Sequence, residues 1–597
     1  MSEPNYKDQA RKFDEASGAL LRADIDAIRC NRDMRLFERK RAVATIVKND
    51  LVGRGQFVYT STDDTYFFDA GTKSLEHLHD VAFRSKLYGR YGLNKTEEET
   101  RFVEADLEMF ARTRGELCEI HQLSHWDDRE RVLYVSANDG TIFKLDGHTI
   151  EHMDNGQRGV LFRSDRRAEP IAAQLTFDKS SEKAIIFHEL FDGLSLTAEP
   201  RRPLALLKTW FLAMFFPELL PVRPIIVMVG EQGAGKTSAG RRFGVFVHGR
   251  HFEVGNFRSD ATGEQDFLAA VTARRFLVFD NADARLPWLA DHLAKLATGS
   301  EIERRKLYTT NDLISYRPDC FLMMTSRTTP WKRDDVARRI IPIRMETIKG
   351  SNLPEGALRR ALMTQRPRIW GAVLMILNDV VATIREDTGA FVSHHRLADF
   401  HWFGRNASKV LGIPEDFEDA MIALEREQSE FLAEGDDRLD LFRIWLGRTN
   451  IDEDPTFIST GELFTQLRQV FTGSDRAFPF RSSTALGTWI GRNKELMAHS
   501  LGLTVALDHS RGGNGWTFRK GSEGSRLHAF TVCNSSDNQG ESERESVKPA
   551  SGKLSKLPDD EIRTGYSKIE EPGAKRYSKL QELSRAWKRV KPIKPMH

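Results

Sequence analysis

Two short stretches hold residue types that do phosphate chemistry. GEQGAGKTS, Gly230 to Ser238, follows the apolar run IIVMVG and matches the pattern G-x-x-x-x-G-K-[ST], with a helix able to start at Lys236. Its glycines let backbone N–H groups close around phosphate oxygens, Lys236 reaches the terminal phosphates, and Thr237 offers a hydroxyl to Mg²⁺. Gly230, Glu231, Gln232, Gly233, Ala234, Gly235, Lys236, Thr237 and Ser238 are therefore read as a cradle for ATP or a related nucleotide. The second stretch, FLVFDNADA, reads as a buried strand ending on Asp280, which would hold Mg²⁺ through its water shell beside that cradle. Many hydrolysing ATPases place two acids at such a point, one for the metal and one for the attacking water. Here Asn281 follows Asp280, so the water falls either to Asn281 through a hydrogen bond or to Asp283 nearby.

Downstream, EIERRKLYTTNDLISYRPDCFLMMTSRTTP reads as a β-hairpin, with a turn at Thr309 to Asp312, followed by another buried strand with the polar end Thr325-Ser326. That end can sit next to a terminal phosphate. WKRDDVARRIIPIRM then brings Arg338 and Arg339 just ahead of a further strand, where an arginine can complete a neighbouring subunit's site.

These residues need elements to hold them. The alternation of strand and helix from PIIVMVG to RIIPIRME predicts a three-layer α/β domain with a largely parallel sheet. At 597 residues the chain divides into roughly three or four domains. The pattern predicts a polar N-terminal segment at 1–35, an α+β domain at 36–165 and the phosphate-binding domain at 166–350. A helical region at 351–436, a small domain at 437–520 and a disordered basic tail at 521–597 complete it.

Charge is nearly balanced, with 88 Lys and Arg against 86 Asp and Glu, so any nucleic-acid contact is a local patch. Four cysteines without a CxxC pair give no disulfide framework and fit a reducing compartment. The polar start is no secretory signal, and the most apolar stretch, TWFLAMFFP, is shorter than the ~20 residues of a membrane helix. A soluble, cytoplasmic protein with no membrane partner is expected.

The order of GEQGAGKT, FLVFDNAD, the hairpin KLYTTNDLISYRP, the strand FLMMTSR and the arginines of VARRI resembles superfamily 3 helicases, especially the helicase half of phage, plasmid and poxvirus-type primase-helicases. LYVSANDGTIFKLDGHTIEHMDNGQRGVLF looks like the region preceding the ATPase in bacterial relatives. The resemblance implies an AAA+-like P-loop core and a homo-oligomeric ring, a hexamer, with ATP sites between subunits and hairpins reaching into a channel that holds one DNA strand. It carries Lys236, Thr237 and Asp280 over, puts Ser326 where the family usually has a sensor Asn, a departure, and makes Arg339 the finger, with Arg338 behind it. In that family the position after the metal-binding acid varies, so Asn281 does not mark a dead enzyme. The hairpin tip departs from the family in lacking Lys or His, which moves the expected DNA contacts to Arg304, Arg305, Lys306 or Arg317.

Within 437–520, helix, helix and hairpin in that order resemble a winged helix, which either places Arg492, Lys494 and Arg511 near a duplex or serves as a protein-docking module. The tail AKRYSKLQELSRAWKRVKPIKPMH is either a phosphate-binding arm or a solvated terminus. Cys118, His121 and His125 are spaced like metal ligands but lack a fourth, and are expected to be scattered surface residues. Asp63, Asp64 and Asp69 have no Asp-x-Asp strand with a histidine partner, so no polymerase site is expected. Two functions stay open: a DNA-stimulated ATPase of the helicase type serving a mobile element, or a regulatory or loading ATPase that binds ATP and DNA or a partner protein without unwinding.

Overall fold

Five apolar runs assemble into one parallel sheet: β1 (Ile225–Val229), β2 (Gly255–Asn256), β3 (Phe276–Asp280), β4 (Phe321–Ser326) and β5 (Ile340–Arg344), in the order β2-β3-β4-β1-β5. The structure is a computed structural model. It describes residues 6–520 apart from 177–181, 198, 261, 283–285, 306–312, 317, 328–332, 348–353, 434–436, 450, 452–453, 472–477 and 509–514. Every residue of β1 and β4 is buried, as a parallel sheet covered on both faces requires.

Side-chain alternation splits the sheet between two cores. Ile225, Val227, Val229, Leu277 and Phe279 pack with the helices Gly263–Ala273 and Leu289–Ala297. Ile226, Met228, Val278 and Met323 face the other way, onto α1 (Lys236–His248) and α2 (Glu355–Glu386). A Cβ on Gly240 of α1 would come within 2.6 Å of Val278, so glycine there is what lets α1 lie close on β3.

The second core does not stop at residue 166. An antiparallel meander of strands Ser124–Asp127, Val132–Ser136, Thr141–Leu145 and Ile150–Asp154 contributes Trp126, Leu133, Val135, Phe143 and Leu145 to it. The segment read from sequence as 36–165 is thus shared between this core and an N-terminal one. The N-terminal core is built from Ile25, Val43, Val47, Phe57, Phe67, Phe83 and Leu107. Helix Tyr6–Cys30 packs into it through Ile25, and the α+β segment expected from residue 36 opens on helix Leu36–Arg54. Asp69, weighed above as a catalytic acid, accepts N–H bonds from Gly71 at 3.0 Å and Thr72 at 3.1 Å and closes a turn.

The small domain has its own core. Its order is helix Asp437–Leu446, strand Thr456–Ser459, helices Thr460–Val470, Ser483–Arg492 and Lys494–Leu501, then strands Leu503–Asp508 and Gly515–Lys520. The last strand sits between the other two. The order helix, helix and hairpin expected from sequence leaves out the first strand, and Asn493 divides the stretch after Ser483 into two helices. Among the described residues α2 alone is long and apolar enough to cross a membrane, and 67% of its apolar window is buried in the fold.

One buried charge ties the large core together. Arg366 of α2, 4% exposed, donates to the Phe246 carbonyl at 2.8 Å and the Val247 carbonyl at 3.2 Å in the last turn of α1. It also donates to the carbonyls of Pro170 at 2.7 Å and Glu169 at 3.2 Å. Burial draws its pKa down to about 10, which leaves it charged at neutral pH. Arg366→Ala leaves four carbonyls without this donor and should lower stability by ~3 kcal/mol or more, read as a lower urea midpoint. Arg366→Lys, with the charge but fewer donors, should fall between. An unchanged midpoint for the alanine variant would show that desolving the guanidinium cancels its bonds.

Candidate phosphate-binding site

The loop leaving β1 is shaped by backbone demands that only glycine meets. A Cβ on Gly230 would lie 2.3 Å from the Met345 carbonyl oxygen, while Gly233 and Gly235 adopt left-handed φ values of 86° and 77°. Gly235 is the N-cap of α1, and no side chain caps that end, so the first-turn N–H groups and the positive end of the helix dipole are available to an anion. The Lys236 ammonium folds back over the loop, donating to the Gly230 carbonyl at 2.6 Å and the Glu231 carbonyl at 2.8 Å. Its pKa is lowered by burial and by Arg327, against the opposing pull of Asp280.

Asp280, at the end of β3, collects three donors on Oδ1. Thr237 Oγ1 donates at 3.1 Å, the Asn281 N–H at 3.0 Å, and Thr325 Oγ1 makes a third bond. Asn281 reaches this position with a left-handed φ of 55°, and its N–H also lies 3.0 Å from Thr325 Oγ1. The Ala282 N–H then donates to the Thr325 carbonyl at 2.8 Å. Ser326, placed at the sensor position from sequence, turns away: its hydroxyl donates to the Ala282 carbonyl at 3.3 Å. Thr325 is the member of the pair that touches Asp280.

Sequence reasoning missed two residues here. Thr325 was visible only as one of two polar residues at a strand end, and strand alternation is what decides which of them faces the carboxylate. Arg327 is exposed just beyond β4, and the Val229–Ser326 pairing of β1 with β4 places it across from the glycine loop that follows β1. Its sequence signal is a base directly after the strand that neighbours β1.

Other candidates lie elsewhere. Arg338 and Arg339 precede β5, at the end of the parallel sheet opposite the loop: the Ile225 N–H donates to the Arg339 carbonyl, and the Arg339 guanidinium bonds the Asp335 carbonyl at 2.5 Å. Ser238 instead donates to Glu355 at 3.2 Å. The hairpin pairs Ile302–Arg305 with Leu313–Tyr316, which puts Arg304 and Arg305 on its first strand. In the small domain Arg492 is exposed at a helix end, and the Lys494 ammonium sits 5.4 Å over the Trp516 ring. Asp283, Lys306, Arg317, Arg511 and the tail lie outside the described residues.

Among solved structures, SCCmec type IV Cch, titled an active helicase, is similar over 78% of this chain and 91% of its own, at 11% identity and a TM-score of 0.40. The apo C-terminal region of NrS-1 is similar over 79% of this chain and 98% of its own, at 12% identity and a TM-score of 0.36. No curated protein matches the sequence. Residues 197–413, which contain all five strands of the sheet, match the family model described as actinomycete integrative conjugative element replication protein. Over that segment the chain is similar to replication proteins of mobile elements.

Proposed function

We propose that the chain is a DNA-stimulated ATPase, a ring-forming superfamily 3-like helicase acting in replication of a phage, plasmid or other mobile element. The observation that carries this reading is the convergence on Asp280: α1 through Thr237, β4 through Thr325 and the chain after β3 through Asn281 meet on one carboxylate oxygen beside the loop. These residues fit ATP and Mg²⁺. The open end of α1 and Lys236 hold the phosphates, Arg327 adds a second cation, and Thr237 with Asp280 would hold the ion. Bound Mg²⁺ would supply charge neutralisation on the transferring phosphate. Thr325 keeps Asp280 in one orientation, and the exposed Asn281 amide is the group at hand to orient water.

The parallel sheet, the hairpin inserted ahead of β4 and the family match support an AAA+-like P-loop ATPase. The strand and helix order of 437–520 supports a winged-helix module, with Arg492 free to meet a duplex. Arg338 and Arg339, at the far end of the sheet from their own loop, act as fingers only toward a neighbouring subunit, which favours a ring. A cytoplasmic location follows from replication of DNA. One observation favours the second reading, a regulatory or loading ATPase that does not unwind: the residue after Asp280 is an amide, not a carboxylate.

ATP turnover with and without single-stranded DNA tests the reading. Wild-type protein should hydrolyse ATP faster with DNA, and Lys236→Ala should abolish turnover. Thr325→Val should keep nucleotide affinity and lose roughly 10–100-fold in Mg²⁺-dependent rate, as removal of a residue that orients a metal-binding carboxylate does. Turnover without displacement of a strand from forked DNA would select the second reading, and no turnover at all would leave a nucleotide-binding switch.

Arg339→Ala should lower turnover by roughly 10³-fold, the scale of an arginine finger, with nucleotide affinity intact. Mixing it with Lys236→Ala protein should restore activity at hybrid interfaces. A protein that stays monomeric with ATP and DNA, or a mixture as inactive as its parts, would overturn the shared site.

A further inference from the structure

The strand Ser124–Asp127 is entered through a strained turn. Leu123 holds a left-handed φ of 52°, unfavourable for a bulky side chain, and the Ser124 N–H closes onto the Gln122 carbonyl at 2.5 Å. The turn sets two imidazoles face to face: the rings of His121 and His125 stack with centroids 3.7 Å apart and planes within 17°. Glu218, from the short turn Pro217–Leu219 just ahead of β1, reaches the same point, with Oε1 3.1 Å from His125 Nδ1. One ligand atom from each of the three lies within 4.8 Å of the others. The carboxylate is aimed by the Trp126 N–H, which donates to its other oxygen at 3.2 Å.

We infer that His121, His125 and Glu218 form a binding site for a divalent transition ion of the zinc type, which pins the meander to the segment leading into β1. Two imidazoles and a carboxylate are a donor set for Zn²⁺ or Co²⁺, whereas Mg²⁺ and Ca²⁺ take oxygen ligands. Bonds of about 2.0–2.2 Å need ligand atoms closer together than 4.8 Å, and one ion lying in the plane of both rings needs an imidazole to turn out of the stack. A fourth position is left for water. Arg275 opposes the ion's charge, but its guanidinium is turned to the Gln122 and Ser124 carbonyls, each at 3.2 Å, and Glu218 supplies the compensating negative charge. Cys118, grouped with the histidines from sequence spacing, packs instead beside Val58, Tyr66 and Leu75. This site does not depend on the nucleotide reading.

The test uses full-length protein carrying Asp280→Asn, which removes the competing acid at the phosphate loop. Titration with Co²⁺, followed by visible absorption and by metal analysis after gel filtration, should show one equivalent per chain, displaced by Zn²⁺ and not by Mg²⁺. Zn²⁺ should also raise the thermal midpoint. Glu218→Gln and His125→Ala should each lose the equivalent and the thermal shift, while Cys118→Ser keeps both. Failure of the parent protein to bind Co²⁺, or an equivalent that persists in the glutamine and alanine variants, would overturn the proposal. Glu218→Gln is isosteric and on the surface, so it decides the matter even if His125→Ala does not fold.

Discussion

The arrangement rests on the burial of one guanidinium, Arg366, against the carbonyl end of α1. A helix end packed into a core would leave carbonyls without partners. Arg366 meets this need with a full positive charge placed where the helix dipole is negative. The Trp370 indole N–H adds a donor to the Phe246 carbonyl at 3.2 Å. With its far end held in this way, α1 can leave its other end bare of side-chain caps. The openness of the glycine loop and the closure at Arg366 are two halves of one solution.

The same economy is seen at Asp280. The groups that hold this carboxylate are a threonine from α1, a backbone N–H in a left-handed residue and a second threonine one strand away. A shift of β4 relative to β3 therefore disturbs Asp280 directly. It also disturbs Ala282, whose N–H and carbonyl both bond to the end of β4.

Much of this was legible in the sequence because local chemistry dictated it. The glycine spacing at 230–235, the buried runs of β1, β3 and β4 and the hairpin strands are written in composition over a few residues. Choices made by distant packing were not legible. Nothing local says that Thr325 faces the carboxylate and Ser326 does not, since that depends on register against β1 and β3. Leu36–Arg54 carries its buried residues at Val43, Ala44, Val47 and Leu51 among many charges, so its helical face was hard to see before its partner helices were known. Glu218 lies far along the chain from His121 and His125, and only the packing of the turn Pro217–Leu219 against the meander joins them.

The shared core of the meander and the sheet separates two kinds of boundary. The family match begins at residue 197, yet Trp126, Leu133, Val135, Phe143 and Leu145 fill the same interior as Trp210, Phe246 and Trp370. A fragment cut where sequence similarity starts would lose the strands that cover this interior and expose apolar surface to water. The unit that folds is larger than the unit that sequence comparison detects. Expression, exchange or transplantation of the sheet between proteins must carry the strands from residue 124 onward with it.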